Sequence, residues 1–167
     1  MFVMQDQLFR HRPDQGIWGD CHRTCIANIL EIPAADVPHS HQEMSGEEFK
    51  AQMDGYLASL GLISLTLWWP KPIDYILGIH RDLNPEISYI LSGRTKKGID
   101  HSVLCVGGVI RKNPSLDPDN DLVTPASDQN FQTTYVVPQR PPFISEQDFV
   151  DVARSWRRDG ILSIEAT

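Results

Sequence analysis

Residues 20–31 read DCHRTCIANILE, and this stretch decides the fold because it predicts a short helix near the start of the chain. Cys21 and Cys25 lie one helical turn apart on an otherwise mostly apolar segment. Asp20 is suited to the N-cap, and Pro33 is expected to end the helix. A helix this short and apolar is expected at the centre of a domain, packed against strands predicted further along the chain.

The composition is typical of one soluble domain. The chain has 167 residues, of which 41% are hydrophobic and 22% are charged. We therefore predict a single domain over residues 1–167, with an irregular N-terminal segment at 1–14 and a loose tail at 159–167. The longest uncharged stretch, residues 55–70, is too short for a membrane-spanning helix.

Charge and cysteine content restrict the partners and the compartment. The 22 acidic and 15 basic residues give a net charge of −7, which opposes binding of the whole surface to nucleic acid or to an anionic membrane. We expect neither as a partner. The N-terminus shows no signal-peptide pattern, and three cysteines are too few for a disulfide framework. Both observations favour a reducing compartment, the cytoplasm.

The order of the predicted elements, helices first and strands later, favours an α+β fold. Ser45 and Glu48 form a capping-box pattern before a second amphipathic helix, and Gly61 lies where that helix is expected to end. Residues 62–69 predict a strand. Residues 73–80 fit either a helical turn or an extended segment.

The second half of the chain predicts short strands separated by turns. Ser92-Gly93 is expected to close a strand at 87–91, and Gly107-Gly108 is expected to form a two-residue hairpin turn. The other predicted segments are strands at 101–106, 109–112 and 133–137, a polar loop at 113–130, a helix at 145–156 and an edge strand or tail at 161–164.

The turn before the first helix is the first candidate for chemistry. The sequence Gln15-Gly-Ile-Trp-Gly-Asp-Cys21 delivers a cysteine to the first helical turn. Unpaired N–H groups there carry partial positive charge, which favours the thiolate of Cys21 over its thiol. The backbone N–H of Cys21 is suited to hold an oxyanion, and the side-chain amide of Gln15, six positions earlier, is predicted to be a second donor.

A thiol nucleophile needs a base, and the base needs an acceptor that orients it. His101 opens the strand predicted at 101–106, at a sheet edge that substrate can reach. Asp117 follows sixteen positions later, just beyond the return strand of the hairpin. Its carboxylate is predicted to accept a hydrogen bond from the imidazole. The predicted catalytic residues are therefore Cys21, His101, Asp117 and Gln15.

These motifs, in this order, resemble those of papain-like cysteine peptidases. The segment from Gln15 to Cys21 is similar to their oxyanion-glutamine and nucleophile segment, and residues 101–107 are similar to their histidine strand. The Asp117-Pro118 step is similar to that of the bacteriocin-processing branch, in which Asp-Pro replaces the asparagine of plant and lysosomal members. Small papain-like proteins of bacteria and tailed phages are similar over parts of residues 89–118. The resemblance implies a papain-like core, with the nucleophile helix packed on an antiparallel sheet.

The resemblance also implies a cysteine hydrolase that cleaves an amide or isopeptide bond of a peptide, a protein or a small amide through a thioester. Two alternatives remain open, because a fold does not determine a substrate. One is acyl transfer on the same triad, as in transglutaminases. The other is a catalytically inactive papain-like module that binds a host protein or a small molecule. We predict no metal and no cofactor, since neither a zinc spacing nor a complete calcium loop is present.

Six further residues are candidates for substrate binding. Trp18 and Gly19 belong to the turn that precedes the nucleophile. Trp69 ends the first predicted strand, where it either lines the cleft or seals the core. Arg94, Lys96 and Lys97 precede the histidine strand, where they either serve solubility or recognise a carboxylate or phosphate on the substrate.

Overall fold

The structure, a computed structural model, describes residues 2–40, 44–117, 119–126 and 129–139. Within these ranges the chain forms three α-helices and six β-strands. The helices are α1 (Cys21–Leu30), α2 (Gly46–Ser59) and α3 (Ile73–Leu83), and the strands are β1 (Leu62–Trp69), β2 (Ser88–Thr95), β3 (Asp100–Val106), β4 (Val109–Lys112), β5 (Leu122–Thr124) and β6 (Phe131–Pro138). The segments predicted at 145–156, 159–167 and 161–164 lie outside the described residues.

The described strands form one antiparallel sheet. Their order is β1-β6-β2-β3-β4, and β5 pairs with the end of β2. Helices α1 and α2 cover one face through a core that includes Ile26, Leu57 and Leu104. Helix α3 packs on the other face, around Ile76 and Phe131. Helices packed on an antiparallel sheet make this an α+β fold, as predicted, and α1 lies on β2 and β3.

The second helix begins and ends as predicted. Ser45 Oγ accepts a hydrogen bond from the Glu48 N–H at 3.2 Å, and Glu48 Oε2 accepts one from the Ser45 N–H at 2.7 Å. Together they complete the capping box. Met53 and Leu57 are buried on the apolar side of the helix. Gly61 follows it with a φ of +71°, the left-handed conformation that favours glycine.

The path of the chain after α2 differs from the prediction in two places. Ser92-Gly93 does not end a strand. β2 continues to Thr95, because Gly93 and Arg94 still pair with His101 and Asp100 of β3. The loop predicted at 113–130 contains β5, which pairs with the end of β2. The segment at 73–80, which fitted two conformations, is helical within α3.

The Gly107-Gly108 turn forms as predicted and packs against the end of α3. The two residues have φ values of +53° and +76°. A Cβ on Gly107 would come within 2.6 Å of the Pro85 carbonyl carbon, and one on Gly108 would come within 2.8 Å of the Arg81 nitrogen. Glycine is therefore required here both for its conformation and for the close approach of two backbone segments.

Candidate active site

The N-terminal segment is tied to α1 through Asp20. Its buried carboxylate accepts hydrogen bonds from the N–H groups of Leu8 and Phe9, at 3.1 and 2.9 Å, and from Arg23 Nε at 2.9 Å. Asp20 occupies the predicted N-cap position, but its side chain makes no capping hydrogen bond. The carboxylate instead holds the N-terminal segment beside the first turn of α1. There the N-terminal segment lines a cavity together with Cys21.

Cys21, the first residue of α1, is partly buried, and its thiol lies at Ser102 of β3. Burial raises the pKa of the Cys21 thiol, and the charge of Asp20 adds to this effect. Hydrogen bonds from Ser102 and from the His22 backbone lower that pKa only in part. Burial thus opposes the thiolate that the helix N-terminus is predicted to favour. Cys21 is a neutral thiol near neutral pH.

We expect alkylation of Cys21 by iodoacetamide to accelerate only above the pH range of an ordinary thiol. Because the pKa of Cys21 is raised, its weakly nucleophilic thiol form persists to higher pH than the thiol of an ordinary cysteine. Peptide mass spectrometry measures the alkylation rate of each cysteine at pH values from about 5 to about 11. Cys25 and Cys105, both fully buried, are the internal references. A Cys21 rate that already reaches its plateau below neutral pH would contradict this expectation.

His101 lies near the start of β3 and forms a hydrogen bond with Asn113. The distance between His101 Nε2 and Asn113 Oδ1 is 2.8 Å. The amide of Asn113 is itself fixed, since Oδ1 accepts the Ser115 N–H at 3.1 Å and Nδ2 donates to the Asn120 carbonyl at 3.0 Å. With Oδ1 as the acceptor, His101 carries its proton on Nε2 and leaves Nδ1 with a free lone pair. Nδ1 is therefore the atom that can act as a base.

His101, like Cys21, is uncharged near neutral pH. Burial lowers the pKa of His101, and the hydrogen bond to Asn113 and the charge of Asp121 raise it only in part. The imidazole is therefore neutral near neutral pH, when Cys21 is a thiol. A neutral thiol can react when a neutral imidazole at the same cavity removes its proton during attack on a carbonyl.

Asp117 does not orient His101 as predicted. Its Oδ2 accepts a hydrogen bond from Lys97 Nζ at 2.6 Å, and its Oδ1 accepts the Asp119 N–H at 3.2 Å. The hydrogen bond from Lys97 lowers the pKa of the Asp117 carboxyl. Asn113 makes the bond that was predicted for Asp117, because it follows β4 directly, whereas Asp117 lies further along the loop, at Lys97.

Gln15 also lies away from its predicted place. It ends a 3₁₀ turn, Pro13–Gln15, is exposed, and lines neither cavity that contains Cys21. Gln7 lines one of them instead and is 7% exposed. Its Nε2 donates one hydrogen to the Phe9 carbonyl, which leaves the second amide hydrogen for a substrate oxygen. Gln7 is therefore better placed than Gln15 to assist the N–H of Cys21 in binding an oxyanion.

Two cavities meet at the candidate nucleophile. The first, of about 280 Å³, lies between the N-terminal segment and the loops that precede β3 and follow β4. The second, of about 310 Å³, lies over the ends of β2 and β3. Cys21, Asp100 and His101 line both cavities. An extended substrate can therefore cross Cys21 and His101 with one part in each cavity.

Three residues predicted to bind substrate lie at the first cavity. Gly19 and Lys97 line it directly. The N–H of Gly19 donates to His11 Nδ1 at 3.2 Å, which holds that ring in the cavity wall. Trp18 does not line the cavity itself but contacts His11, with 5.2 Å between the two ring centroids. Its buried indole N–H has no hydrogen-bond partner among the residues that the structure describes.

The other three predicted substrate-binding residues lie outside both cavities. Trp69 Nε1 donates to Thr133 Oγ1 at 2.8 Å, and the indole packs against the core of the α3 face. Trp69 thus seals the core, one of its two predicted roles. Arg94 Nε forms an ion pair with Asp100 at 2.9 Å, and Lys96 is exposed on the loop before β3.

Comparison with family models, with curated proteins and with solved structures gives no match for this chain. In the described part of the chain, no three His, Cys, Asp or Glu side chains converge on a possible metal position. Over the same residues, every helix is too short or too polar to cross a bilayer. The chemistry open to the site thus follows from its geometry, a partly buried thiol and a buried neutral imidazole that both line two cavities.

Proposed function

We propose that this chain is a cysteine-dependent hydrolase that cleaves an amide or isopeptide bond of a peptide, a protein or a small amide. Cys21 is the nucleophile, His101 is the base, and Asn113 orients the base. The observation that carries the proposal is the 2.8 Å hydrogen bond between His101 and Asn113, which leaves Nδ1 unprotonated in a residue that shares both cavities with Cys21. The reducing cytoplasm, where a thiol persists, is the compartment that suits this chemistry.

The proposed reaction begins with proton transfer. His101 Nδ1 takes the thiol proton of Cys21 as Sγ attacks the substrate carbonyl carbon. The oxyanion that forms accepts hydrogen bonds from the Cys21 N–H, which has no intrahelical acceptor at the first helical position, and from Gln7 Nε2. The intermediate then expels the amine, which takes the proton from His101 and leaves a thioester on Cys21. Water attacks the thioester, again with His101 as base, and releases the carboxylic acid and the free thiol.

The proposal includes a papain-like arrangement of these residues. In the papain-like peptidases that the sequence resembles, plant and lysosomal members orient the histidine with an asparagine. A base oriented by Asn113 is similar to that pattern rather than to the Asp-Pro pattern of the bacteriocin-processing branch. The position of α1 on the strand that carries His101 supports the same arrangement.

The raised pKa of Cys21 favours a second candidate, a catalytically inactive papain-like module that binds a host protein or a small molecule. A thiol that is not ionised at rest reacts slowly unless His101 removes its proton during attack. This candidate keeps the cavities and assigns no reaction to the thiol. The two candidates differ in whether an acyl group is ever transferred to Cys21.

Trapping of the acyl-enzyme tests the proposal. The full chain is mixed with p-nitrophenyl acetate, release of p-nitrophenolate is followed, and the acetylated residue is identified by peptide mass spectrometry. We expect acetylation of Cys21, none on the buried Cys25 and Cys105, and loss of the signal in Cys21→Ser. Added glycinamide distinguishes hydrolysis from acyl transfer, because transfer yields N-acetylglycinamide. Folded protein without an acetyl group on Cys21 would favour the binding module.

A further inference from the structure

The first cavity, the one of about 280 Å³, has more basic than acidic side chains in its wall. Arg10, Arg12 and Lys97 line it, together with Asp100 and Asp117. The whole chain has the opposite balance, with 22 acidic and 15 basic residues. The cavity that contains Cys21 is therefore a local site of positive charge on an acidic protein.

Both carboxylates of the cavity wall are paired with basic side chains. Lys97 Nζ donates a hydrogen bond to Asp117 Oδ2 at 2.6 Å. Arg94, which lies outside the cavity, forms an ion pair with Asp100, with 2.9 Å between Nε and Oδ1. The negative charges of the wall are thus compensated by Lys97 and Arg94, and the two arginines of the wall are left over.

Arg10 and Arg12 form no ion pair within the described part of the chain. Arg10 Nη2 donates to the Leu116 carbonyl at 3.0 Å, which holds the guanidinium at the cavity and leaves its other N–H groups for a ligand. The backbone of Arg12 pairs with Ile17 across a short turn, so the base of its side chain is fixed. A planar guanidinium can bind a carboxylate through two parallel hydrogen bonds.

Two uncharged donors lie in the same wall. His11 Nδ1 accepts the Gly19 N–H at 3.2 Å, which places the ring proton on Nε2. The Ser115 hydroxyl accepts hydrogen bonds from the Asp117 N–H at 3.0 Å and from Asn120 Nδ2 at 3.2 Å, so its own hydrogen is left to donate. Donors of this kind suit a ligand group that only accepts hydrogen bonds.

We propose that the first cavity binds a carboxylate on the substrate, held by Arg10 and Arg12. This assignment rests on the proposed function, because the carboxylate belongs to the molecule whose carbonyl Cys21 attacks. A carboxylate is chosen over a phosphate because Asp100 and Asp117 in the same wall oppose the larger charge of a phosphate group. The substrate class thus narrows from any amide to an amide that carries a carboxylate near the reacting bond.

Alkylation of Cys21 tests the site without any need for acyl transfer. The reagents are the N-iodoacetyl derivatives of glycine, β-alanine and 4-aminobutyrate, which carry the carboxylate at increasing distance, and their primary amides are the neutral controls. Rates at Cys21 are measured by peptide mass spectrometry and divided by the rates with 2-mercaptoethanol. At one length or more we expect the carboxylate to be preferred about tenfold. The net charge of −7 alone would disfavour it, so the sign of the preference is informative.

Removal of single charges assigns the preference to the two arginines. Arg10→Gln and Arg12→Gln are each expected to lower the preference by about threefold. Lys96→Gln is the matched control, because it removes the same charge from an exposed residue that lines neither cavity at Cys21. Urea denaturation shows whether each variant is folded. In the wild-type chain, about 0.5 M NaCl should weaken the preference by screening the guanidinium charges, a measurement that needs no variant.

The outcomes separate failure of the carboxylate site from failure of the reaction. A wild-type chain that alkylates faster with the neutral amides, or a preference that survives both Arg10→Gln and Arg12→Gln, would overturn the assignment. A preference for N-iodoacetyl-2-aminoethylphosphonate over the β-alanine reagent would overturn the choice of a carboxylate. A carboxylate preference in a chain that p-nitrophenyl acetate does not acylate would support the site and reject the proposed function alone. Acylation of Cys21 without any carboxylate preference would reject the site alone.

Discussion

Replacement of His101 by glutamine is expected to lower the rate at which p-nitrophenyl acetate acylates Cys21 by a factor of about 10² to 10⁴, the usual contribution of a positioned base. The pKa of Cys21 is raised, so the thiol depends on a base during attack. Glutamine retains a polar side chain at a buried position but cannot accept a proton near neutral pH. The free energy of unfolding in urea, measured on both proteins, shows whether the variant is folded.

The same assay decides between Asn113 and Asp117 as the orienting residue. Asn113→Ala removes the hydrogen bond to His101 Nε2, and a lost hydrogen bond predicts a rate roughly tenfold lower. Asp117→Ala is the matched control from the same loop. It removes the ion pair with Lys97 and is expected to leave the rate within about twofold, because pairs this exposed contribute little. A larger loss in Asp117→Ala than in Asn113→Ala would restore the assignment predicted from the sequence.

Gly107→Ala is expected to destabilise the protein by about 3 kcal/mol or more. A Cβ at this position would lie 2.6 Å from the Pro85 carbonyl carbon and 3.0 Å from its Cα. Backbone atoms cannot turn away as a side chain can, so the hairpin or the loop after α3 must move. The positive φ of +53° adds strain to the same substitution. Urea denaturation followed by tryptophan fluorescence measures the change.

Gly98→Ala separates the two causes of this cost. Gly98 also has a positive φ, +73°, but a Cβ there meets no atom within 4 Å. We expect it to cost about 1 kcal/mol, from backbone strain alone. Equal losses in Gly98→Ala and Gly107→Ala would show that the turn does not pack against Pro85. The comparison also bears on the candidate active site, because the Gly107-Gly108 turn ends β3, the strand that carries His101.

Several elements of the fold could be predicted from short stretches of the chain. The capping box of Ser45 and Glu48 forms within one helical turn, and the Gly107-Gly108 turn joins two strands that are adjacent in sequence. The predicted bounds of β1 and β4 also agree with the structure. In each case the determining contacts join residues a few positions apart, so the amino-acid pattern contains the necessary information.

The hydrogen bond of Asn113 to His101 could not be predicted in this way, because the position of Asn113 depends on a β-bulge. Leu104 pairs with Lys112 and Cys105 pairs with Ile110, so Arg111 is an extra residue in β4. The bulge shifts the register by one position. Asn113, the next residue, is therefore placed on the sheet face of His101, and a regular hairpin would have turned it to the other face. The position of Gln7, the proposed oxyanion donor, depends on similarly distant contacts, the hydrogen bonds of Asp20 that hold the N-terminal segment at α1.

The sequence by itself determined the mixed helix and sheet content, the local ends of the elements and the choice of Cys21 and His101 as candidate reactive residues. Those features depend on residue type and on near neighbours. Only the tertiary structure decided that Asn113, and not Asp117, forms the hydrogen bond with His101, and that Gln7, and not Gln15, lines a cavity with Cys21. It also decided that the pKa of Cys21 is raised, because the burial that raises it depends on how distant segments pack.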